Sequence, residues 1–400
     1  FNSVPSMIMD MGTPPRHAAA SAACTRVAEL LAQARRPLLV LGNGARSAHR
    51  ELLELAERLS LAVIVTGHGK GAFPERHPLY VGIMGLGQHP SVPEHLAETP
   101  DVTLIVGSRL NDLATNGWAL DLNGSLATIQ IDRDPTLVGR NAQVTHALIG
   151  DAQLTVQRIV DALPDRSDRP GQRIVRRRPL PQRATAAPDE DAEPSTASAT
   201  IAPRDLLHEL QRQLPDARWV ADIGEHLAHA LHLLSVDRPD QFTVMLGYGS
   251  MGSGVCSSIG IKLAEPDMPV VCICGDGGFT SYLGELMSCV ENDIGVVFVV
   301  FNDGRWNMVE HGFEAVYGAR PVPLINAIAD LAGVAQCMGV RSATVRSVAE
   351  LRQLDLAAQA RQSSPLVIDV RIDPDHALTR ETRSASLKHF HGNHDHDDNR

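Results

Sequence analysis

Residues 269–304 read PVVCICGDGGFTSYLGELMSCVENDIGVVFVVFNDG, and this stretch carries the pattern that sets the fold. An apolar run (269–274) ends in Gly275-Asp276-Gly277-Gly278, a helix is expected over 279–291, and a second apolar run (296–301) ends in Asn302-Asp303-Gly304. Short uncharged runs bounded by glycine read as strands buried on both faces, the habit of parallel sheets covered by helices. Asp276 and Asp303 stand 27 positions apart, about one helix plus one strand. Two adjacent parallel strands would therefore deliver both carboxylates to one crevice at their carboxyl ends. Glycines flanking an acid let backbone approach a phosphate closely. Mg2+ is commonly held by one or two carboxylates, with phosphate oxygens and water completing its shell. The plainer alternative is that GDGG and NDG are turns after strands and nothing more.

Working outward, the same alternation covers two blocks. Upstream, a helix over 24–35, a strand over 38–41, a helix over 50–59 and strands over 61–65, 102–107 and 127–131 are expected. Downstream come a helix (205–213), strands (218–222 and 242–246), a helix (253–264) and a last strand (366–370). The expected fold is α/β, with two doubly wound parallel-sheet domains over 18–162 and 201–375. Between them, 163–200 is rich in Pro, Arg, Ser and acids and reads as a flexible linker, its Arg176-Arg177-Arg178 run being solvated charge. Residues 376–400 read as a disordered His-rich tail, with adventitious metal binding as the alternative.

Composition narrows the function classes. The chain has 400 residues, 44% hydrophobic and 21% charged, which suits two or three domains with sizeable cores. Its net charge of −11 and lack of a long basic run argue against nucleic acid and anionic membrane surfaces as partners. No apolar stretch is long enough to span a bilayer. The six cysteines are scattered without a C-x-x-C pair and read as reduced core thiols of a cytoplasmic protein. Gly247-Tyr248-Gly249-Ser250-Met251-Gly252 is a formal G-x-G-x-x-G, and Asp276 follows where a ribose-binding acid would sit. An NAD(P)-binding oxidoreductase is therefore one reading, but it leaves the GDGG and NDG pair unexplained.

The GDG motif followed in the high twenties by N-D resembles the signature of thiamine-diphosphate-dependent enzymes, in the acetolactate synthase and pyruvate oxidase branch. Asp222-Ile223-Gly224-Glu225-His226 is similar to that branch's diphosphate-contacting turn, and GYGSMGSG (247–254) to its G-x-G-x-M-G turn. RRPLLVLGNGA (35–45), VTGHGKGAFPERHPLYVG (65–82), IVGSRLND (105–112) and IQIDRDPTLVGRN (129–141) resemble the family's central domain. The resemblance implies that Asp276, the Asp303 side chain and the Arg305 carbonyl bind Mg2+. It implies that Gly224, Glu225, His226, Gly275, Gly277 and Gly278 hold the diphosphate, that the Gly249 carbonyl accepts from the pyrimidine amino group, and that Met251 wedges the cofactor into a bent shape. The chemistry implied is decarboxylation of a 2-oxo acid with transfer of the acyl carbanion to an acceptor. Trp306, Asn307 and His311, just beyond the metal loop, are candidates for facing substrate.

Departures from the family pattern accompany these matches. Asp303 stands where the metal site often has Asn, and Gly312 stands where acetolactate synthases usually have a Trp against the second oxo acid, implying a roomier acceptor pocket. The flavin-contacting turns match loosely (Gly82-Ile83-Met84-Gly85 and Arg109), which leaves FAD open. In the family a Glu on a separate N-terminal domain activates the cofactor, and the cofactor sits between that domain of one copy and the GDG domain of a second. VPSMIMDMGTPP (4–15) resembles the last strand of that domain and its exit, so residues 1–17 read as its remnant. No catalytic residue is therefore assigned with certainty in this chain, and a non-catalytic or regulatory paralogue is the alternative.

Overall fold

In the computed structural model of the protein, residues 15–164, 200–322 and 327–375 are described. The expected remnant, linker and tail lie, apart from their ends, outside the described residues. Six strands form the first sheet: β1 (Pro37–Leu41), β2 (Ala62–Thr66), β3 (Tyr80–Met84), β4 (Val102–Val106), β5 (Ala127–Asp132) and β6 (His146–Ile149). Six more form the second: β7 (Arg218–Ala221), β8 (Phe242–Val244), β9 (Val270–Gly275), β10 (Val296–Asn302), β11 (Arg341–Val345) and β12 (Leu366–Arg371). The orders are β3-β2-β1-β4-β5-β6 and β11-β12-β10-β9-β7-β8, with every pairing parallel.

Parallel strands must be joined by crossovers, and the amphipathic helices supply them. Helix His49–Leu59 buries Leu52, Leu55 and Ala56. Helix Pro203–Gln213 starts with Pro at its first position, where the missing N–H is no loss, and buries Leu206, Leu207 and Leu210. Along β10 the alternation places Val297, Val299 and Phe301 in one core and Val296, Phe298 and Val300 in another. The first of these cores also contains Leu39 and Leu41 of β1, so the two sheets share one continuous apolar layer.

Three strands escape the sequence reading. β3 lies in a glycine-rich stretch with a register shift against β2, β6 is four residues long, and β11 (RSATV) is polar. All three are edge strands, and the partial burial of β6 and β11 relaxes their apolar requirement, whereas β3 is fully buried. The expected helix over 279–291 is two helices, Asp276–Ser281 and Glu285–Glu291. The break falls at Tyr282-Leu283-Gly284, where glycine is a poor helix former. Strand β8 ends at Val244, which frees Met245 and Leu246 to enter the glycine turn. All six cysteines are free, as expected, but Cys256 and Cys337 are exposed rather than in the core.

Candidate cofactor site

Open α/β sheets bind ligands outside the carboxyl ends of their strands, where the strand order reverses. In the second sheet that point lies between β7 and β9, and the glycine-rich turns converge there. A cavity of about 330 Å³ opens at this place, lined by Gly224, Glu225, His226, Asp276, Asp303 and Trp306 among others. Gly249, Met251, Gly275, Gly277, Gly278, Arg305 and Asn307 also border it. Strands β9 and β10 are adjacent and in register, so Asp276 and Asp303 reach one crevice.

The two loops are tied directly. Asp276 Oδ1 accepts from the Gly277 amide at 2.7 Å and Oδ2 from the Gly304 amide at 2.8 Å. Asp303 Oδ1 accepts from the Arg305 amide at 3.0 Å, and Oδ2 from Asn307 Nδ2 at 2.7 Å. Burial raises Asp276 above its ordinary value against the pull of those amides. Burial, with Asp276 as a second negative neighbour, pushes Asp303 up to about 7. This crevice therefore resists holding two negative charges unaided.

That pressure has a measurable consequence. Between an unfolded value of about 4 and a folded value of about 7, the folded state holds the Asp303 proton more tightly than the unfolded chain does. Stability of the free protein should fall as pH rises through that window. Asp303→Asn should flatten this slope in urea unfolding between pH 5 and pH 7.5, and an unchanged slope would contradict it.

Close packing explains two of the glycines. A Cβ at Gly278 would lie 2.4 Å from Asp222 Oδ2, and one at Gly224 would lie 2.3 Å from the His226 ring. Asp222 is itself fully buried and accepts from the Gly252 amide at 2.8 Å and the Gly254 amide at 2.9 Å. It caps helix Ser253–Ala264, whose own N-cap, Gly252, has no side chain to do so. This pins the turn bearing Gly249 and Met251 to the end of β7. Sequence reasoning noticed Asp222 only as part of a motif, because its partners lie 30 and 32 positions away.

His226 is buried with Nε2 lacking a hydrogen-bond partner, and burial holds its imidazole below the ordinary value. Glu225 meets His311, whose Nδ1 lies 2.9 Å from both carboxylate oxygens. Of the three candidates for facing substrate, Trp306 and Asn307 border the cavity, whereas His311 is buried behind Glu225. Among the described residues no three His, Cys, Asp or Glu side chains gather into a metal site, so a cation here needs oxygens from a ligand. The G-x-G-x-x-G turn follows β8, and β7 separates β8 from β9 and Asp276. A dinucleotide fingerprint has its ribose acid on the neighbouring strand, so the NAD(P) reading loses its geometric basis.

A second cavity, of about 650 Å³, occupies the corresponding switch point of the first sheet, between β1 and β4. Arg16, Arg46, His68, Arg109 and Arg133 line it, with Asp132 and Asp151 as acids. Burial, and repulsion by Arg109 and Arg46, hold His68 below its ordinary value.

The sequence reading expects no His-Glu dipeptide, the form of the family's activating motif, and is wrong in this, since one stands at His208-Glu209. Glu209 is buried, and hydrogen bonds from Arg212, with Gln213 and Arg352 adding theirs, hold its carboxyl down to about 2. It belongs to a structural network on helix Pro203–Gln213 and not to the crevice.

The architecture is thus that of a doubly wound α/β protein whose second unit presents glycine turns and a carboxylate pair suited to a cation-bound phosphate group. Residues 24–159 match the profile of the thiamine pyrophosphate enzyme central domain, and residues 222–370 that of the C-terminal TPP binding domain. The chain belongs to the thiamine pyrophosphate enzyme family, on the acetolactate synthase-like side. It is similar to a putative acetolactate synthase large subunit of Mycobacterium tuberculosis, 31% identical over 86% of this chain and 61% of that protein. A probable acetolactate synthase large subunit of Methanococcus aeolicus is 29% identical over 96% of this chain and 66% of its own length. An acetolactate synthase of Arthrospira platensis is 30% identical over 93% and 64% respectively. The chain spans less than two-thirds of the length of these relatives.

Proposed function

We propose that this chain forms the central and cofactor-anchoring domains, 18–162 and 201–375, of an enzyme that uses thiamine diphosphate and Mg2+ to decarboxylate a 2-oxo acid and join its acyl group to an acceptor. The observation that carries this reading is the meeting of Asp276 and Asp303, from adjacent parallel strands, in one glycine-lined crevice. The residues fit the cofactor. Two crowded carboxylates call for a cation, and the buried Nε2 of His226 has no hydrogen-bond partner of its own.

Asp276, the Asp303 side chain and the Arg305 carbonyl would hold Mg2+. Gly224, Glu225, His226, Gly275, Gly277 and Gly278 would receive the diphosphate, with His311 hydrogen-bonded to Glu225 and fixing its orientation. Gly249 would accept at the pyrimidine side and Met251 would support the ring. Trp306 and Asn307 are left to face substrate. When bound, the cofactor supplies an electron sink for loss of CO2 and for the new carbon–carbon bond.

The rim of the crevice is apolar and exposed at Met251, Trp306 and Val309, and helix Asn307–Tyr317, which carries Val309, also exposes Phe313 and Tyr317. Contiguous apolar surface marks an interaction site. A second copy of the protein, in a homodimer or homotetramer, would cover it and bring the activating glutamate. The excess of arginine in the first unit's cavity suits a dinucleotide's phosphates, and flavin absorbance in the purified protein would show that FAD is bound. No helix among the described residues is long and apolar enough to cross a membrane. The unpaired cysteines suit a cytoplasmic setting.

Calorimetric titration with magnesium–thiamine diphosphate should give saturable heat, and absence of both heat and thermal stabilisation would end this reading. A panel of 2-oxo acids with CO2 detection, with and without aldehyde acceptors, would then define the donor and separate carboligation from simple decarboxylation. Cofactor binding without CO2 release from any of them, in the presence of the domain that carries the activating glutamate, would favour the non-catalytic paralogue.

A further inference from the structure

Helix Glu225–Leu233 is gripped at its two ends by different parts of the molecule. Its first residues, Glu225 and His226, border the second unit's crevice. At its other end, the carbonyls of Leu231 and Leu234 accept from Lys70 Nζ at 3.0 and 2.7 Å. Lys70 belongs to the first unit, in the turn after β2, and both its side chain and that of Glu75 are fully buried. Both Glu75 oxygens accept from Nζ at 2.9 Å. Glu75 also takes hold of the segment beyond the helix, since its amide donates to the Val236 carbonyl at 3.1 Å. The Phe242 ring lies 5.5 Å from the ammonium. Nearby, His89 of the first unit places Nε2 2.8 Å from the His232 carbonyl.

A buried ion pair is weak evidence for stability, because desolvating both charges offsets their attraction. What this pair provides is geometry. The ammonium sits at the helix C-terminus, where the dipole favours a cation. It is locked there by a counter-ion from its own loop, so it cannot follow the helix if the helix shifts. Nine residues make a helix about 13 Å long, short and stiff enough to carry a displacement from one end to the other.

We propose that Lys70 is a positioning residue for the phosphate crevice. Through the Lys70–Glu75 pair the first unit fixes the rotation and axial position of helix Glu225–Leu233, and so sets where Glu225 and His226 stand. The contact stands on its own geometry, while its consequence for cofactor binding rests on the function proposed above.

Lys70→Ala would strand a buried carboxylate and unfold the unit, so the informative variant of the full chain is K70M/E75L. Replacing a whole buried pair by apolar side chains commonly preserves the fold. The expected result is a protein that still folds cooperatively, at a melting temperature lowered by the orphaned Leu231 and Leu234 carbonyls, with faster hydrogen exchange at the amides of Glu225–Leu233 in the ligand-free protein, those of β9 and β10 remaining protected. The Kd for magnesium–thiamine diphosphate should rise about tenfold, equivalent to about 1.4 kcal/mol. Wild-type protection of the helix in K70M/E75L would overturn the proposal, as would faster exchange combined with wild-type Kd. If helix exchange quickens but the wild type itself binds no cofactor, the positioning role stands and the cofactor reading falls. Should K70M/E75L not fold, Glu75→Gln keeps the shape, removes the counter-charge and is judged by the same two measurements.

Discussion

Asp276→Asn is expected to abolish the response to magnesium–thiamine diphosphate while leaving the free protein at least as stable as the wild type. The two effects have one origin. Asp276 is buried beside Asp303, and its charge is opposed by desolvation and supported by the backbone amides of Gly277, Gly304 and Arg305. Asn keeps the shape and one acceptor oxygen but removes the charge, which relieves Asp303 of its nearest negative neighbour. A cation-bound diphosphate loses the carboxylate that draws it in. A ligand at 100 times its Kd stabilises a folded protein by about 2.7 kcal/mol, an easily resolved shift in melting temperature. Thermal melts of both proteins, with and without the magnesium complex, decide the matter. A wild-type shift in the variant would remove Asp276 from the site.

Asp222→Ala should produce the largest loss of stability, about 3 kcal/mol, because it leaves the Gly252 and Gly254 amides without their acceptor in a buried place. Asp222→Asn should cost less, since the carboxamide retains one acceptor oxygen. The turn between β8 and these amides carries Gly249 and Met251, so the alanine variant should also weaken cofactor binding. Urea midpoints at constant m-value measure the first effect, and calorimetry measures the second. A loss below about 1 kcal/mol would mean that the amides find water or another acceptor, and the capping role would be withdrawn.

Much of the second unit is legible in the chain because its signals are local. A run such as VVFVVF can be buried on both faces only inside a covered parallel sheet, and the glycines around Asp276 and Asp303 mark the ends of such strands. The 27-residue interval then leaves adjacent strands as the economical connection, and β9 pairs with β10. The first unit was equally readable at β1, β2 and β4, whose runs are almost wholly apolar, and at β5, where Ile129 and Ile131 alternate with polar residues. The edge strands β6 and β11 were not, because their mixed polar composition is shared with loops, whereas the edge strand β8 was. The helix expected over 279–291 was misjudged at Gly284, where a local break outweighs the apolar spacing around it.

By itself, then, the chain determined the α/β class, the two sheets and the carboxylate pair, since each follows from periodicity and spacing within a few dozen residues. Tertiary structure alone decided that Asp222 caps a helix 32 residues later, that His311 stands behind Glu225, and that Lys70 reaches carbonyls at Leu231 and Leu234. The physical reason is common to all three. A buried polar group must find a partner wherever packing places one, and no local pattern encodes which distant backbone atom that will be.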